Sequence, residues 1–523
     1  MTTGTKIKRA LISVSDKSGL VELCKELDDM GIEILSTGGT MKALRDAGVR
    51  VVSVSTFTGS PEVMDGRVKT LHPKIHGGIL CRRDHPSDLE QLEQLDSKPI
   101  DLIVVNLYPF RQTLRKPDSA EPEIIENIDI GGPSMLRSGA KNFASVTVVI
   151  DPGDYRELLN QMKSHGGKTT LEFRKQCAGK VFALTAEYDS AISGYFASGK
   201  PPLDDLFPGS ISPNYSLQAR LRYGENPHQH GSVYVRNGKA GPSLLDAQIL
   251  SGKELSYNNY GDLEACLDML LEFDESFACV LKHANPCGAA VAGTIAEAYR
   301  LAYESDPLSA FGSIIGVNRP VDMECARLLH ETEFVECVLA PAYAPEVLEL
   351  LKKKKARRLL ALPSIETRPV LEQLQLKPIR GGLLVQTEDR ALTTEADLKV
   401  MTKRAPTPDE IRSLLFAWKV VKHTKSNAIV IAKGTSTVGI GMGQTSRVDS
   451  SFMAVKRAGD RAKGAALASD AFFPMPDGVE VATAAGVTAF IQPGGSKGDD
   501  QAIAAADKAG AAMVFTGIRH FKH

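Results

Sequence analysis

No two of the eight cysteines are spaced C-x-x-C, so neither a zinc framework nor a disulfide framework is indicated. No apolar run approaches the ~20 residues needed to span a bilayer. The first ten residues, Met1 to Ala10, are polar and basic and lack the apolar core of a signal peptide. Neither sign of charge dominates. The 62 Lys and Arg residues against 63 Asp and Glu leave a net charge of −1, which gives no reason to expect nucleic acid or an anionic membrane as a partner. These absences predict a cytoplasmic protein. What is present is ordinary for large soluble cores: 43% hydrophobic and 24% charged residues. The length suggests about two to four domains.

Short apolar runs read as buried strands at Ala10–Val14, Ile32–Leu35, Val49–Val54, Leu102–Leu107 and Val146–Ile150. Helical patterns lie between several of them. Leu20, Leu23, Cys24 and Leu27 form one apolar stripe, and Met41–Ala47 reads as a second helix. The alternation predicts an α/β domain with a mostly parallel sheet and helices on both faces. Such sheets bind ligands at the carboxyl ends of their strands. Residues 169–198 read as a long amphipathic helix with Phe173, Cys177, Val181, Leu184 and Tyr188 inward. The Pro- and Gly-rich segment 199–216 is the best linker. Beyond it, strands are expected at 276–281, 313–317, 427–432, 437–441, 487–492 and 511–515. Residues 340–400 are less legible, and "KKKKARR" (352–358) fits a solvated helix face or loop better than a nucleic-acid site. No short repeat is visible.

In the first half, "STGGT" (36–40) joins a strand to a helix. Adjacent glycines let backbone N–H groups approach an anion, and the following helix N-terminus adds partial positive charge. "SVSDKSG" (13–19) makes a similar junction with Ser15, Asp16 and Lys17. The loop "GRVKTLHPKIHGG" (66–78) adds Arg67, Lys69, Thr70, His72, Lys74 and His76. So basic a loop in a neutral protein suggests an anionic small ligand. His72 and His76 are spaced i, i+4, but Pro73 argues against a regular helix there and so against a metal pair. Asn106 and Tyr108 end another strand, Asp129 lies in "IDIGG" and Lys141 in "GAKN". A Lys, a Tyr and an Asp at loop ends of one sheet could do acid–base work on an amide.

In the second half, "LKHANPCG" (281–288) places Lys282 and His283 at the end of an apolar strand. Pro286 removes a backbone donor, and Gly288 is expected to lead into a helix over 289–303. Zinc deaminases carry H-x-E followed by P-C-x-x-C. Here Asn285 replaces the Glu, and the next cysteine after Cys287 is Cys325, so the ligand set is missing.

The segments "SVSDKSGL", "STGGT", "GRVKTLHP", "NLYPF" and "IDIGGPSMLRSGAKN" resemble one half of a purine-biosynthesis family. It is the family of bifunctional 5-aminoimidazole-4-carboxamide ribonucleotide (AICAR) formyltransferase/IMP cyclohydrolases. The likeness continues through "LRYGENPHQ", "LKHANPCGAA", "SAFGS", "KHTKSNAIV", "GIGMGQTSR", "SDAFFPMPDG" and "RHFKH". It implies a methylglyoxal synthase-like, Rossmann-type α/β sandwich with a core of about 1–150 in a cyclohydrolase domain, 1–199. A transformylase region of cytidine deaminase-like α/β folds, 200–523, would follow. It implies formyl transfer from 10-formyltetrahydrofolate to AICAR, then dehydrative closure of formyl-AICAR to IMP, with no catalytic metal. It also implies a homodimer, with no nucleic acid or membrane as partner. By residue, the resemblance makes His283 the base or proton shuttle, Lys282 the oxyanion stabiliser and Asn427 the orienter of the formyl group. It assigns Lys69, Tyr108, Asp129 and Lys141 to ring closure. Ser15, Asp16, Lys17, Gly38, Gly39, Thr40, Arg67, Thr70 and Asn106 would hold the nucleotide there. Arg222, Tyr223, Gly312, Glu336, Arg447, Phe472 and Arg519 would hold it at the second site. Val448, Phe472, Gly495, Ser496 and Lys497 would hold the folate.

Overall fold

The computed structural model describes residues 6–116, 118–198, 207, 211–236, 243–366 and 374–523. The chain divides into two compact units, Met1–Asn214 and Tyr215–His523. Most of the expected linker lies outside the described residues, and its last two positions already belong to a strand, Tyr215–Leu221.

The first unit is built on a five-stranded sheet. Its order is Val52–Ser53, Glu33–Ser36, Arg9–Ser13, Leu102–Val105, Thr147–Val149, and every pairing is parallel. Side chains alternate between two cores. Ala10 and Ile12 face one with Leu20, Leu23, Cys24 and Leu27, while Leu11 faces the other with Ile75, Ile79, Met135 and Leu136. Burying both faces requires helices on both sides, as the apolar runs predict. The last strand of the long run 49–54 shrinks to two residues because Ser53 caps a helix, Val54–Thr58, by accepting the Thr56 N–H. The basic loop also differs from expectation. Pro73 does not prevent a helix but begins one, Pro73–Leu80, at the first turn where its missing N–H costs nothing, with His72 as the cap. The long helix is Leu171–Ser198, with Phe173, Cys177, Val181 and Tyr188 buried.

The second unit holds a twelve-stranded sheet that traces one path twice. The first pass is an edge strand Gln248–Ser251, the helix Tyr257–Leu270 and the hairpin Phe277–Lys282/Asn285–Val291. Three further strands follow, Ser313–Val317, Val335–Ala340 and Arg358–Ala361, each reached through a helix. The second pass is an edge strand Lys399–Val400, the helix Pro408–Lys422 and the hairpin Ile429–Lys433/Ser436–Gly441. Again three strands follow through helices, Ala466–Ser469, Ala489–Gln492 and Ala512–Phe515. In both passes the hairpin's first strand runs antiparallel to the first of these, the three are mutually parallel, and the edge strand closes antiparallel on the last. The hairpins join antiparallel at Ala290 and Ser436.

On one face of this sheet the helices Tyr257–Leu270 and Pro408–Lys422 share a single apolar layer. On the other face each repeat has its own core. Glycines repeat with the fold. A Cβ on Gly288 would strike the Ala302 carbonyl of the overlying helix, and one on Gly441 would strike the Ser450 carbonyl in the second repeat. The expected helix over 289–303 is therefore corrected: Asn285–Val291 continues as strand, with a bulge between Pro286 and Gly288 that accommodates the missing proline N–H. The helix starts at Ile295, capped by Thr294. In "KKKKARR", Lys352, Lys353 and Lys355 are exposed in a loop, but Arg357 is buried and donates to the Leu329 carbonyl. No helix of the described residues is long and apolar enough to cross a membrane.

Behind the shared layer, Glu272 lies 2.7 Å from the Lys422 ammonium and 3.3 Å from the His423 ring, linking the two repeats. Burial alone would raise the Glu272 pKa, but His423 and Lys422 outweigh it and hold the carboxyl down to about 2, from the usual 4.5. A depressed carboxylate pKa contributes stability above 4.5 that is lost as the pH falls towards 2. Acid titration followed by circular dichroism should show a Glu272→Gln protein losing less stability than the parent between these limits. Equal losses would exclude this cluster as a source of acid sensitivity.

Candidate active sites

At the carboxyl ends of the first sheet lies a cavity of about 580 Å³. The chain leaves strands Arg9–Ser13 and Leu102–Val105, which are neighbours in the sheet, by loops that part on either side of it, the usual crevice of an open α/β sheet. Asn106 holds the loops together. Its Oδ1 accepts the N–H groups of Ser15 at 2.6 Å and Asp16 at 3.0 Å, and its Nδ2 donates to the Asp16 carbonyl. Asn106 is thus a brace as well as a wall. Thr40 is another: its buried hydroxyl accepts from the Val14 N–H and donates to the Val14 carbonyl, both at 3.0 Å. What Thr40 offers the cavity is backbone, in the first turn of the helix Gly38–Asp46, whose leading N–H groups have no partner within the helix. Gly38, at φ +47°, makes the tight entry, and the Lys69 ammonium lies over it.

Ser15, Lys17, Gly38, Gly39, Thr40, Arg67, Lys69, Thr70, Asn106, Tyr108 and Asp129 all line this cavity. Asp16 does not; its carboxylate accepts from the Ser18 N–H and hydroxyl, and Ser18 holds its pKa down. Lys141 is exposed at the far end of the helix Gly131–Lys141, whose N-terminus opens on the cavity. Eleven residues of helix put Lys141 about 16 Å from that end. One copy of the chain does not bring it to the others.

Asp129 is fixed from several sides. Its Oδ1 accepts the Gly132 N–H at 2.7 Å, and the backbone amide of Tyr108 also favours the ionised carboxylate. Its own N–H donates to the Tyr188 hydroxyl at 2.8 Å, which donates in turn to the Asn127 carbonyl. Burial pushes the Asp129 carboxyl above the usual aspartate range, against these hydrogen bonds and the Lys69 charge. Tyr188 reads in the sequence as an inward helix residue, and nothing local signals that its hydroxyl would pin Asp129. The cations are also occupied: Arg67 pairs with Glu126 at 2.5 Å, and Lys69 lies 3.7 Å from Glu62. An anionic ligand on Arg67 displaces a carboxylate that is itself more than half exposed, a weak competitor.

The second constellation sits where the two repeats of the large sheet meet. The Lys282 ammonium donates to the Phe311 carbonyl at 2.9 Å, beside Gly312, which turns at φ +73°. The Asn285 side chain spans the seam: its Nδ2 donates to the His283 carbonyl at 3.0 Å, and its Oδ1 accepts the Lys425 N–H at 3.1 Å. Two residues on, Asn427 donates to the Gln444 carbonyl and accepts from Arg447 at 2.8 Å. Arg447 is buried and pairs with Asp470 at 2.5 Å, and Asp470 also accepts from Ser426. Arg447 therefore orients Asn427 in this structure, a role its position in a Gly-rich turn does not reveal. The backbone of Lys522 exchanges hydrogen bonds with Ser426, so the C-terminal tail is part of the same network.

Phe472 follows Asp470 by two residues, and Val448 follows Arg447 in the same helix, Arg447–Ala458. The loop Gly495–Lys497 is closed on itself, because Asp499 accepts the N–H groups of Gly495 and Ser496. Gly498 lets this loop abut the Pro474 carbonyl, beside Phe472. Arg222 stacks on Tyr223 at 4.8 Å, and the turn that follows is tied to the helix Tyr257–Leu270 by an Asn258 to Glu225 bond. Glu336 accepts from Asn259 of that helix at 2.9 Å and pairs with Arg358. Arg519 is exposed and lies over Phe521.

Known proteins are similar in sequence to this chain along its whole length. The MGS-like domain profile matches residues 19–134, and the profile of the AICARFT/IMPCHase bienzyme matches residues 139–457. A protein of Sorangium cellulosum named "Bifunctional purine biosynthesis protein PurH" is 52% identical over 526 residues, 99% of this chain and 100% of its own. Proteins of the same name from Chlorobium phaeobacteroides and Magnetococcus marinus are each 51% identical, over 99% of this chain and 99% and 100% of their own. A solved structure titled "Crystal structure of ForH" is 36% identical, covers 36% of this chain and 99% of its own, and has a TM-score of 0.34. With a family profile over more than half its length and half-identical relatives from end to end, the chain belongs to the AICARFT/IMPCHase bienzyme family.

Proposed function

We propose that the two activities of this bienzyme are divided between the two units: the first closes formyl-AICAR to IMP, and the second formylates AICAR from 10-formyltetrahydrofolate. The observation that carries the division is the gathering of Lys69, Tyr108 and Asp129 with an anion-ready helix N-terminus in one cavity of the first unit. In ring closure the carboxamide nitrogen attacks the formyl carbon, and water leaves. Lys69 and Tyr108 polarise the formyl oxygen, and Asp129, with its raised pKa, exchanges protons near the attacking nitrogen. Arg67, Lys17 and the N–H groups of Gly38, Gly39 and Thr40 take the phosphate. Lys141 can act in this reaction only from a second copy of the chain, which fits a homodimer.

In formyl transfer the AICAR amine is a poor nucleophile, because its lone pair is delocalised into the ring. His283 removes its proton as it attacks the formyl carbon. Lys282 spends one N–H on Phe311 and keeps two for the developing oxyanion. Asn427, held by Arg447 and Gln444, keeps one acceptor lone pair for the substrates. Arg222, Tyr223, Gly312, Glu336 and Arg519 bind the nucleotide, and Phe472, Val448 and the loop Gly495–Lys497 bind the folate. A cytoplasmic location suits an enzyme drawing on soluble substrates.

Cutting the chain tests the division. Residues 1–214 alone should convert formyl-AICAR to IMP without folate, and residues 215–523 should formylate AICAR and stop there. IMP formed by the second piece alone would reverse the assignment.

A further inference from the structure

His283 and Ala284 form the two-residue connection of the first hairpin, and both are left-handed, at φ +56° and +55°. Such connections favour Asn and Gly, because a Cβ crowds the backbone there. The equivalent connection of the second repeat, Gly434–Thr435, opens on a glycine at φ +59°. The first repeat thus accepts a conformational cost that the second avoids, at the residue that carries the imidazole.

Asp262, on the helix Tyr257–Leu270, meets this turn from beneath. Its Oδ1 accepts the Ala284 N–H at 2.7 Å, and the backbone amide of His283 also favours the ionised carboxylate. Asn285 holds the other side through the His283 carbonyl. We propose that Asp262 is a positioning residue for formyl transfer: by accepting the Ala284 N–H it keeps His283 and Ala284 left-handed and aims the imidazole at the substrate amine. The proposal rests on His283 being the base, and the experiment separates the two claims.

Formyl transfer and ring closure are measured on the full-length chain for Asp262→Ala, Asp262→Asn, Ala284→Gly and the double variant Asp262→Ala/Ala284→Gly. Misplacing a catalytic group by about 1 Å costs about 100-fold in rate, so Asp262→Ala should lower kcat by that factor, with KM for AICAR nearly unchanged. Ring closure should keep its rate. Glycine adopts the left-handed turn at no steric cost, so the double variant should recover about tenfold of the loss. Asp262→Asn keeps one acceptor oxygen and should lose less than Asp262→Ala. If Asp262→Ala does not fold, the same comparison is made with Asp262→Asn and its Ala284→Gly partner.

Full activity in Asp262→Ala overturns the proposal. A double variant no faster than Asp262→Ala also overturns it, and makes Asp262 a group that acts on substrate. His283→Ala is measured beside these. If it formylates at full rate, the assignment of the base fails; if it is inactive while Asp262→Ala is fully active, only the role of Asp262 fails.

Discussion

Replacing His283 by alanine should lower the kcat of formyl transfer by about a thousandfold while ring closure of supplied formyl-AICAR keeps its rate. The size follows from the reaction. A general base contributes about 10²- to 10⁴-fold, and a delocalised amine depends on losing its proton as it attacks. The Asn285 side chain bonds to the backbone of His283, not to its ring, so the deletion leaves the turn's remaining contacts in place. Nucleotide binding should change little, since the residues proposed to bind the nucleotide are others. The measurement is steady-state transfer from 10-formyltetrahydrofolate, with ring closure in the same sample as an internal control. A drop of less than about tenfold would remove His283 from the proton-transfer step.

Replacing Lys69 by alanine should have the opposite selectivity. Ring closure should fall by about 100- to 1000-fold, the loss typical of removing one preorganised oxyanion donor, and formyl transfer should be untouched. Lys69 lies over Gly38, beside Asp129, and its charge partly offsets the burial that raises the Asp129 pKa. Its removal should therefore raise that pKa further and move any rate limb governed by Asp129 to higher pH. Rates from supplied formyl-AICAR across pH give both quantities. An unaltered profile with a reduced rate would separate Lys69 from Asp129.

The parts of this molecule that sequence reveals are those whose signal is local. The stripe of Leu20, Leu23, Cys24 and Leu27 is a helix because its period is local, and all four are buried. "STGGT" announces a turn into a helix because adjacent glycines are a local signal too. Pro73 misleads because the same residue breaks a helix in its interior and begins one at its first turn. Pro286 misleads in the other direction, since a bulge lets a strand pass through it. What sequence hides is the second layer of contacts. Tyr188 under Asp129, Asp262 under Ala284 and Asp470 behind Arg447 stand 59, 22 and 23 residues from the groups they hold. Their residue types and spacings carry no mark of the pairing. The doubled path of the large sheet is hidden for a related reason: a fold can repeat through its burial pattern without repeating its residues.

That doubled path has a consequence for how the second unit melts. The helices Tyr257–Leu270 and Pro408–Lys422 have one apolar layer between them, so opening either repeat wets the inner surface of the other. Two repeats of this kind behave as one cooperative body. Heating should give a single transition for residues 215–523, and neither repeat expressed without the other should hold a native fold.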